Sequence, residues 1–288
     1  MRTYLDCYSC LVRQSVEAGR RASNDPATQE RIVRDVLGAL SQADLSLPPP
    51  VHARTTHQVV HRHTGVHDPY LADKRRSNEL ALALVARYRP QLAACPDRFA
   101  MAVRLAAAGN IIDFGAHGEL DLACLEETIE HALASPLPEL TLARLRERTA
   151  KADRILYLAD NAGELAFDRL LIEQLPPGKV TVAVKGAPIL NDALREDAEA
   201  VGIGEVATVI DNGTGIAGTW LAETSTAFLD LFLAADVVIS KGQGNYETLS
   251  EAPRDVFFLL KVKCPMVSRR LNEPIGTIVL TQGDSAAS

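Results

Sequence analysis

Residues 154–164 read RILYLADNAGE, a short apolar run that leads directly into Asp160, Asn161 and the small residues before Glu164. The run, residues 155–158, lacks the polar alternation of a half-exposed strand, as expected when helices cover both faces of a parallel sheet. Comparable apolar runs, separated by helical segments, recur at residues 180–184, 206–210, 237–239 and 256–260. This alternation predicts an α/β fold with a doubly wound, mainly parallel sheet and helices on both faces.

The first 150 residues carry a helical pattern instead. Asp25-Pro26 supplies a helix N-cap followed by proline at the first helical position, and the apolar side chains of residues 32–40 then fall on one face. The proline-rich segment 46–50 predicts the end of that helix and a stiff connector. Further helices are predicted from near Asp68 to Pro90 and over residues 99–108, 122–134 and 140–150. We therefore expect a helical domain at residues 1–150, an α/β domain at 151–282 and a disordered tail at 283–288.

Composition excludes several classes of function. The chain has 30 Lys and Arg against 37 Asp and Glu, a formal charge of -7, whereas nucleic-acid binding and acidic membrane surfaces call for a basic face. No apolar run approaches the roughly 18–20 residues that cross a bilayer. The five cysteines cannot all pair within one chain, and the N-terminus has no apolar signal core. These features predict a cytoplasmic protein with neither nucleic-acid nor membrane partners.

Polar residues and glycines follow four of the predicted strands. Because ligands bind beyond the carboxyl ends of parallel strands, we expect these residues along one rim of the sheet. Lysine supplies a compact positive charge and glycine lets backbone N–H groups approach an anion, a combination that suits phosphate. Strand by strand, the residues are Asp160 and Asn161; Lys185 and Gly186; Asp211; and Lys241, Gly242, Gly244 and Asn245.

Oxygen ligands for a metal are present in the same segments. Asp160 and Asn161 are adjacent, and Asp192, at the predicted start of a helix, offers a second carboxylate. An all-oxygen set favours magnesium or manganese over zinc. Taken singly, an Asp-Asn pair after a strand is also typical of a turn or a helix cap. It is the recurrence of acid, amide and lysine at successive strand ends that favours a metal-assisted phosphate site.

Several ordered blocks resemble a known family, the metal-dependent damage-control phosphatases. The resemblance covers nearly the whole chain, and Cys7-x-x-Cys10 is typical of the prokaryotic branch. The other blocks are Asp68-Pro69-Tyr70 with Lys74 and Asn78, residues 109–115 (GNIIDFG), residues 160–164 (DNAGE), Lys185-Gly186-x-Pro188-x-x-Asn191-Asp192, and residues 240–247 (SKGQGNYE).

The resemblance implies a helical N-terminal region joined to a Rossmann-like domain. It also implies removal of phosphate from small phosphorylated metabolites such as sugar phosphates, nucleotides or damaged compounds, with magnesium, manganese, cobalt or nickel. On this sequence, Asp160, Asn161 and Asp192 match the metal ligands, Lys241 matches a phosphate-holding lysine, and Asn110 matches a substrate-pocket residue. The site would then lie between the two halves.

Asp160, Asp192 and Lys241 are accordingly the candidate catalytic residues. Whether Asp160 attacks phosphorus or holds a metal beside an attacking water stays open at this point. Haloacid-dehalogenase phosphatases carry a second aspartate two residues after the first, where this chain has Ala162, so that superfamily is disfavoured. The candidate substrate- or phosphate-binding residues are Asn110, Lys185, Asp211, Gly242, Gly244, Asn245 and Glu247.

Two alternatives to a phosphatase stay open. A phospho-ligand-binding or regulatory module would keep the pocket without turnover. A methyltransferase is less favoured, because the first strand is not followed by the glycine-rich loop and acidic ribose-binding residue that a nucleoside cofactor needs. Retention of both carboxylates and Lys241 favours turnover. Oligomeric state and substrate identity are not predicted.

Two further clusters have competing interpretations. Cys7 and Cys10 have the spacing of half a zinc site or a redox pair, but no second Cys-x-x-Cys follows, so structural use is favoured. His57 and His61 are four residues apart on a predicted helix, yet no His-Glu-x-x-His frame accompanies them, which favours a solvated or pocket-rim role. The full histidine cluster is His52, His57, His61, His63 and His67.

Overall fold

A six-stranded sheet forms the centre of the molecule. The computed structural model describes residues 1–111 and 122–283, and it confirms the predicted α/β class with a mainly parallel sheet. The strand order is β3-β2-β1-β4-β5-β6, in which β1 to β5 are parallel and β6 pairs antiparallel with β5. The strands are β1 (Ile155–Leu158), β2 (Val180–Val184), β3 (Thr208–Asp211), β4 (Val237–Lys241), β5 (Phe257–Lys261) and β6 (Ile278–Gln282).

Twelve α-helices are described around this sheet. None of the helices in the described parts of the chain has the length and apolar character that a bilayer crossing requires. The predicted tail lies outside the described residues except for Gly283. The helices are α1 (Leu5–Ala22), α2 (Pro26–Leu40), α3 (Pro49–Thr64), α4 (Leu71–Ala94), α5 (Arg98–Ile111), α6 (Leu122–Ala134), α7 (Glu139–Lys151), α8 (Glu164–Ile172), α9 (Arg195–Ala200), α10 (Thr226–Ala234), α11 (Gln243–Leu249) and α12 (Pro265–Leu271).

Helix starts in the N-terminal region follow local chemistry. The Asp25 carboxylate accepts the backbone N–H groups of Ala27 and Thr28 at 3.3 and 3.0 Å, so the predicted cap of α2 is confirmed. The proline-rich segment is shorter as a connector than predicted, because Pro49 is already the first residue of α3. Proline fits there since the first turn of a helix does not use its backbone N–H groups.

Apolar cores cover both faces of the sheet. Tyr157 and Val182 face a core that includes Leu105 of α5 and Phe167 of α8. On the opposite face the core is built from Leu156, Leu158 and Val238 of the strands and from apolar residues of α10, α11 and α12. Helices α1 to α3 have a smaller core of their own. The division at residue 150 stays a prediction: it falls at the end of α7, although residues of α4 to α7 share the first core with the sheet.

The strand bounds differ from prediction at two places that matter. Strand β4 continues two residues beyond Ile239, so Lys241 belongs to the strand and not to the loop after it. Strand β6 was not predicted: it is an edge strand that pairs only with β5, and it ends in the polar residues Thr281 and Gln282. Its buried part, Ile278 to Leu280, is a short apolar run like the other strands, but the alternation of parallel strands with helices does not indicate an antiparallel edge strand.

The α5–α8 contact joins the helical region to the sheet. A Cβ built on Gly109 of α5 would lie 3.0 Å from Cβ of Phe167, so glycine permits this close approach.

Because Phe167 is fully buried at this contact, we expect Phe167→Ala to lower the free energy of unfolding by about 3–5 kcal/mol, measured by urea denaturation. Leu140→Ala is the matched control: Leu140 is 88% exposed, and its truncation should change stability by about 0.5 kcal/mol or less. Equal effects of the two substitutions would contradict this account of the core.

Candidate active site

A pocket of about 460 Å³ lies where the carboxyl ends of the parallel strands meet α1 and α3. The pocket lies between the helical region and the sheet, where the sequence resemblance implies a site. From the sheet side the pocket is lined by Asp160, Asn161, Asp192, Gly218, Gln243, Gly244, Glu247, Lys263 and Cys264. From the helical side it is lined by residues of α1, α3 and Tyr70, among them Cys7, Cys10, Gln14 and Pro50.

Asp160, Asn161 and Asp192 are brought together by backbone pairing. The main-chain oxygen of Asp160 accepts the N–H of Ala193 at 2.8 Å, and Asn161 and Asp192 form an isolated antiparallel bridge. Oδ2 of Asp160 accepts Nδ2 of Asn161 at 2.7 Å and Nδ2 of Asn110 at 2.9 Å. The loop after β1 and the segment after β2 therefore present the three predicted metal ligands side by side.

The positive charge near the Asp160 and Asp192 carboxyl groups does not offset the effect of their burial. Asp192 is 4% exposed, and its Oδ2 is buried with no hydrogen-bond partner; Lys185 Nζ is 3.5 Å away and donates to the Gly218 carbonyl at 2.6 Å. Burial raises the pKa of Asp192 despite the charge of Lys185. Burial also raises the pKa of Asp160, and the neighbouring carboxylates of Glu164 and Asp192 raise it further. A cation would relieve this concentration of buried acid.

The donor set fits a divalent cation that prefers oxygen. Two carboxylates and the Asn161 amide leave room in the coordination shell for water and phosphate oxygens, as magnesium and manganese sites commonly do. Within the described residues, no group of three His, Cys, Asp or Glu side chains gathers as a metal site. The arrangement is therefore unlike a closed structural zinc site.

Lys241 lies away from the pocket, in contrast to its predicted contact with phosphate. As the last residue of β4 it points into the core under α5 and α8, with no exposed surface. Its Nζ donates to Glu164 Oε1 at 2.7 Å, Asp168 Oδ1 at 2.5 Å and the Ala106 carbonyl at 2.9 Å. These three acceptors use all three ammonium hydrogens. Lys241 is thus a buried partner of acidic residues, and phosphate has no access to it.

Glu164 connects Lys241 to the polar residues of the pocket. Burial opposes its ionisation, but the Lys241 charge and hydrogen bonds from Lys241, Asn110 and Asn161 outweigh burial and lower the pKa of Glu164. Its Oε2 accepts Nδ2 of Asn110 and Nδ2 of Asn161, each at 2.9 Å. The same two amides hold Asp160, so Lys241 positions the candidate ligands through Glu164.

The other predicted binding residues differ in their placement. Gly242 donates its N–H to the Leu259 carbonyl at 3.1 Å, so this amide is not free for phosphate. Glycine is nevertheless required, because φ is +79° and a Cβ would overlap the Asp160 carboxylate. Asn245 is buried and ties β4 to β1 by donating to the carbonyls of Lys241 and Ala159 at 2.8 and 3.1 Å.

Five predicted binding residues remain. Asn110 and Lys185 are buried and do not line the pocket: Asn110 donates to Asp160, and Lys185 donates to the Gly218 carbonyl. Gly244 and Glu247 line the pocket. Asp211 does not line it: its carboxylate pairs with Arg195 at 2.9 Å on the rim, where it also accepts the N–H of Gly213. A polar residue at a strand end is therefore not sufficient to place a side chain in the site.

Several known proteins are similar to this chain along most of its length. The model of the damage-control phosphatase ARMT1-like domain matches residues 3–279. The chain belongs to this family. It is 34% identical over 286 residues to a damage-control phosphatase of Pyrococcus horikoshii (97% of each chain), and 30% identical over 280 residues to one of Archaeoglobus fulgidus (95% of this chain, 96% of the relative). A crystal structure of a DUF89 family protein from Pyrococcus horikoshii superposes with a TM-score of 0.87 at 33% identity, covering 99% of this chain and all of that one.

Membership of the phosphatase family supports a phosphatase role for this chain. The structure also adds one charged pocket residue to those predicted from the sequence. Lys263 lines the pocket just beyond β5, and its charge lowers the pKa of Asp160 against the effect of burial. The Lys263 backbone N–H donates to Gln243 Oε1 at 2.9 Å. The sequence carries a partial signal: Lys261 and Lys263 both follow the predicted strand 256–260, and of the two only Lys263 is among the residues that line the pocket.

The cysteine and histidine clusters have separate environments in this family member. Cys7, Cys10 and Cys264 are free thiols on the pocket wall.

Among the histidines, His57 lies behind the pocket wall. Its Nε2 accepts the N–H of Leu190 at 2.9 Å, and burial lowers the pKa of His57 to about 4, so this ring is neutral and supports the wall. The other four histidines of the cluster have different partners: His63 pairs with Asp35 and His52 with the Asp44 carbonyl, while the rings of His61 and His67 contact each other. Residues 112–115 of the block that begins at Gly109 lie outside the described residues.

The buried position of Lys241 generates a prediction that separates it from Lys263. Lys241→Met leaves Glu164 and Asp168 buried without their cation, so we expect a loss of about 3–5 kcal/mol in the free energy of unfolding. Lys263 is exposed, and Lys263→Met should change it by about 0.5 kcal/mol or less. Chemical denaturation of both variants checks this. A Lys241→Met protein of full stability with weakened phosphate binding would restore the original prediction.

Proposed function

We propose that this chain is a divalent-metal-dependent phosphatase acting on phosphate monoesters of small metabolites, with sugar phosphates, nucleotides and damaged phosphometabolites as the candidate substrates. The observation that carries the proposal is the pairing of Asp160 with Asp192 in one pocket, where burial raises both pKa values although Lys185 Nζ lies 3.5 Å from Oδ2 of Asp192. Family membership supports the reaction class. The pocket volume of about 460 Å³ suits a small ligand.

The ligands of the cation would be Asp160, Asn161 and Asp192. When bound, the cation would polarise a phosphoryl oxygen and lower the pKa of a nearby water. The chain itself fixes the ligands beforehand, since Asn110 and Glu164 hold the Asp160 and Asn161 side chains in place. Such positioning costs no reorganisation at the moment of reaction.

Lys263 takes the phosphate-binding role that was assigned to Lys241 from sequence. Its exposed ammonium group lies on the pocket wall, at the end of β5, near Asp160. An ammonium group there would neutralise phosphoryl oxygen charge that grows in the transition state. Gly244 and Gly218 form the neighbouring wall, where the absence of side chains lets a ligand approach the backbone.

The nucleophile in this proposal is a water molecule. Oδ2 of Asp160 already accepts two amide hydrogen bonds, and Ala162 occupies the place where an aspartyl-phosphate enzyme of the haloacid-dehalogenase type carries its acid/base. Asp160 therefore serves better as an anchored ligand than as an attacking group. Water attack also leaves the Asp160 carboxylate available throughout the cycle.

Loss of one carboxylate should remove metal-dependent activity. We expect Asp160→Asn and Asp192→Asn each to reduce phosphate release from p-nitrophenyl phosphate by roughly 100-fold or more, since removing a charged ligand weakens the cation site. Phosphate release is measured with magnesium, manganese, cobalt or nickel, and after chelation. Asp153→Asn, a carboxylate with 84% side-chain exposure at the amino end of β1, is the control and should keep full activity.

Two outcomes would contradict the proposed metal-dependent phosphatase. Activity that survives chelation, or that both substitutions leave intact, contradicts the metal-dependent mechanism. If the protein binds phosphate esters in calorimetry and releases no phosphate from any of them, it is a phospho-ligand-binding module instead.

Lys263 should contribute to phosphate affinity. A hydrogen bond between charged groups contributes about 1.5–3 kcal/mol, so Lys263→Met should raise the inhibition constant of inorganic phosphate by roughly 10-fold or more. Competitive inhibition of p-nitrophenyl phosphate hydrolysis gives this constant. Lys179→Met, at the amino end of β2, removes another exposed lysine that does not line the pocket and should leave the constant unchanged. An unchanged constant in Lys263→Met would remove Lys263 from the phosphate site.

A further inference from the structure

Glu247 is a buried pocket carboxyl that the proposed mechanism has not yet used. It lies on α11, one helical turn after Gln243, and lines the same pocket as Asp160 and Lys263 while only 8% exposed. Its Oε1 accepts Nε2 of Gln243 at 2.7 Å, and Oε1 of Gln243 accepts the Lys263 N–H at 2.9 Å. The orientation of Glu247 is therefore fixed by an amide that is itself anchored to the phosphate-binding segment.

The groups around Glu247 leave its carboxyl without a strong cation. Its own carbonyl accepts the Met1 ammonium group at 2.8 Å, and this charge attracts the carboxylate only weakly compared with the effect of burial. The thiols of Cys7 and Cys264 line the same pocket, and burial, with some repulsion from Glu247, raises the pKa of both thiols, so they stay neutral. On the next turn, Glu251 pairs with Arg270 at 2.9 Å.

This environment differs from that of the other buried acids. Glu164 has Lys241 at 2.7 Å and Asp192 has Lys185 at 3.5 Å, whereas no lysine or arginine of the described chain forms a salt bridge with Glu247. Burial accordingly raises the pKa of Glu247 to about 7. Near neutral pH a large fraction of the molecules carries a proton at this carboxyl, facing the pocket.

We propose that Glu247 is the general acid that protonates the leaving-group oxygen in the hydrolysis of alkyl phosphates. This inference rests on the proposed phosphatase function. As water forms the new bond to phosphorus, the bond between phosphorus and the ester oxygen breaks and its electron pair passes to that oxygen, which takes the Glu247 proton. The proton lost by the attacking water balances it and, through solvent, restores the acid. One ester and one water thus give one alcohol and one phosphate.

Leaving groups differ in their need for this proton. The alkoxide of a sugar or of glycerol is strongly basic and leaves poorly without protonation, whereas p-nitrophenolate is weakly basic and leaves as an anion. General acid catalysis contributes about 10²–10⁴-fold to reactions that need it. An acid role therefore predicts an effect that depends on the leaving group, which a role in packing or binding does not.

The test compares Glu247→Gln with the parent protein on glycerol phosphate and on p-nitrophenyl phosphate. We expect kcat for glycerol phosphate to fall by about 10²–10⁴-fold and kcat for p-nitrophenyl phosphate to change little. Glutamic acid is the active form, so the parent kcat for glycerol phosphate should decline as pH rises through about 7, and this decline should be absent in Glu247→Gln. Equal losses on both substrates, a change in KM alone, or a parent profile without the decline would each overturn the proposal.

Two further variants complete the experiment. Glu251→Gln makes the same chemical change one turn later, outside the pocket and at 65% side-chain exposure, and should leave both kcat values unchanged. Glu247→Asp keeps an acid and should retain the high-pH decline at a lower rate, which tests the proposal even if Glu247→Gln folds poorly. If the parent protein hydrolyses neither glycerol phosphate nor p-nitrophenyl phosphate, the proposed function itself is refuted. An active parent whose substrate preference Glu247→Gln leaves unchanged refutes only the acid role.

Discussion

The burial of acidic groups at the carboxyl end of β1 is the constraint on which the rest of the structure depends. Asp160, Glu164 and Asp192 are each less than 10% exposed, and an isolated buried carboxylate is strongly disfavoured unless opposite charge accompanies it. Lys241 compensates Glu164, and Lys185 partly compensates Asp192. The negative charge that remains uncompensated faces the pocket, beside Asn161. The fold therefore concentrates its unmatched charge where an oxygen-preferring cation has access.

The same polar network explains why the helical region cannot be separated from the site. Asn110 of α5 donates to Asp160 and Glu164 and accepts the backbone N–H of Lys261 at 3.0 Å. Asn78 of α4 accepts the N–H of Gly163 at 2.6 Å at the start of α8. Neither asparagine lines the pocket, yet both fix the loop that carries the candidate ligands. The helical region thus supports the site from behind through α4 and α5 and closes it in front through α1 and α3.

The sequence predicted the five parallel strands, and the closeness of Asp160, Asn161 and Asp192, because both depend on local signals. Alternating buried runs and helices define parallel strands, and the carboxyl ends of such strands share a rim, which places Asp160 near Asp192. The role of Lys241 depended on where β4 ends: two more strand residues turn its side chain from the loop into the core, and hydrophobic periodicity does not fix strand ends to that accuracy. The contribution of Cys7 and Cys10 to the pocket wall depends on how α1 packs, which no local pattern encodes.

Glu247 and Asp160 show how one pocket can assign different tasks to two carboxyl groups. Burial raises both pKa values, but Asp160 is surrounded by further carboxylates, so a cation bound there would restore its ionised form. Glu247 is surrounded by an amide, two thiols and the N-terminal ammonium group bound to its own carbonyl, so a cation held by Asp160 and Asp192 leaves its immediate partners unchanged. Where environments push two acids towards opposite protonation states, one acts as ligand or base and the other as acid. The net charge of -7 does not reveal this, because the chemistry depends on which buried acids have a cationic partner.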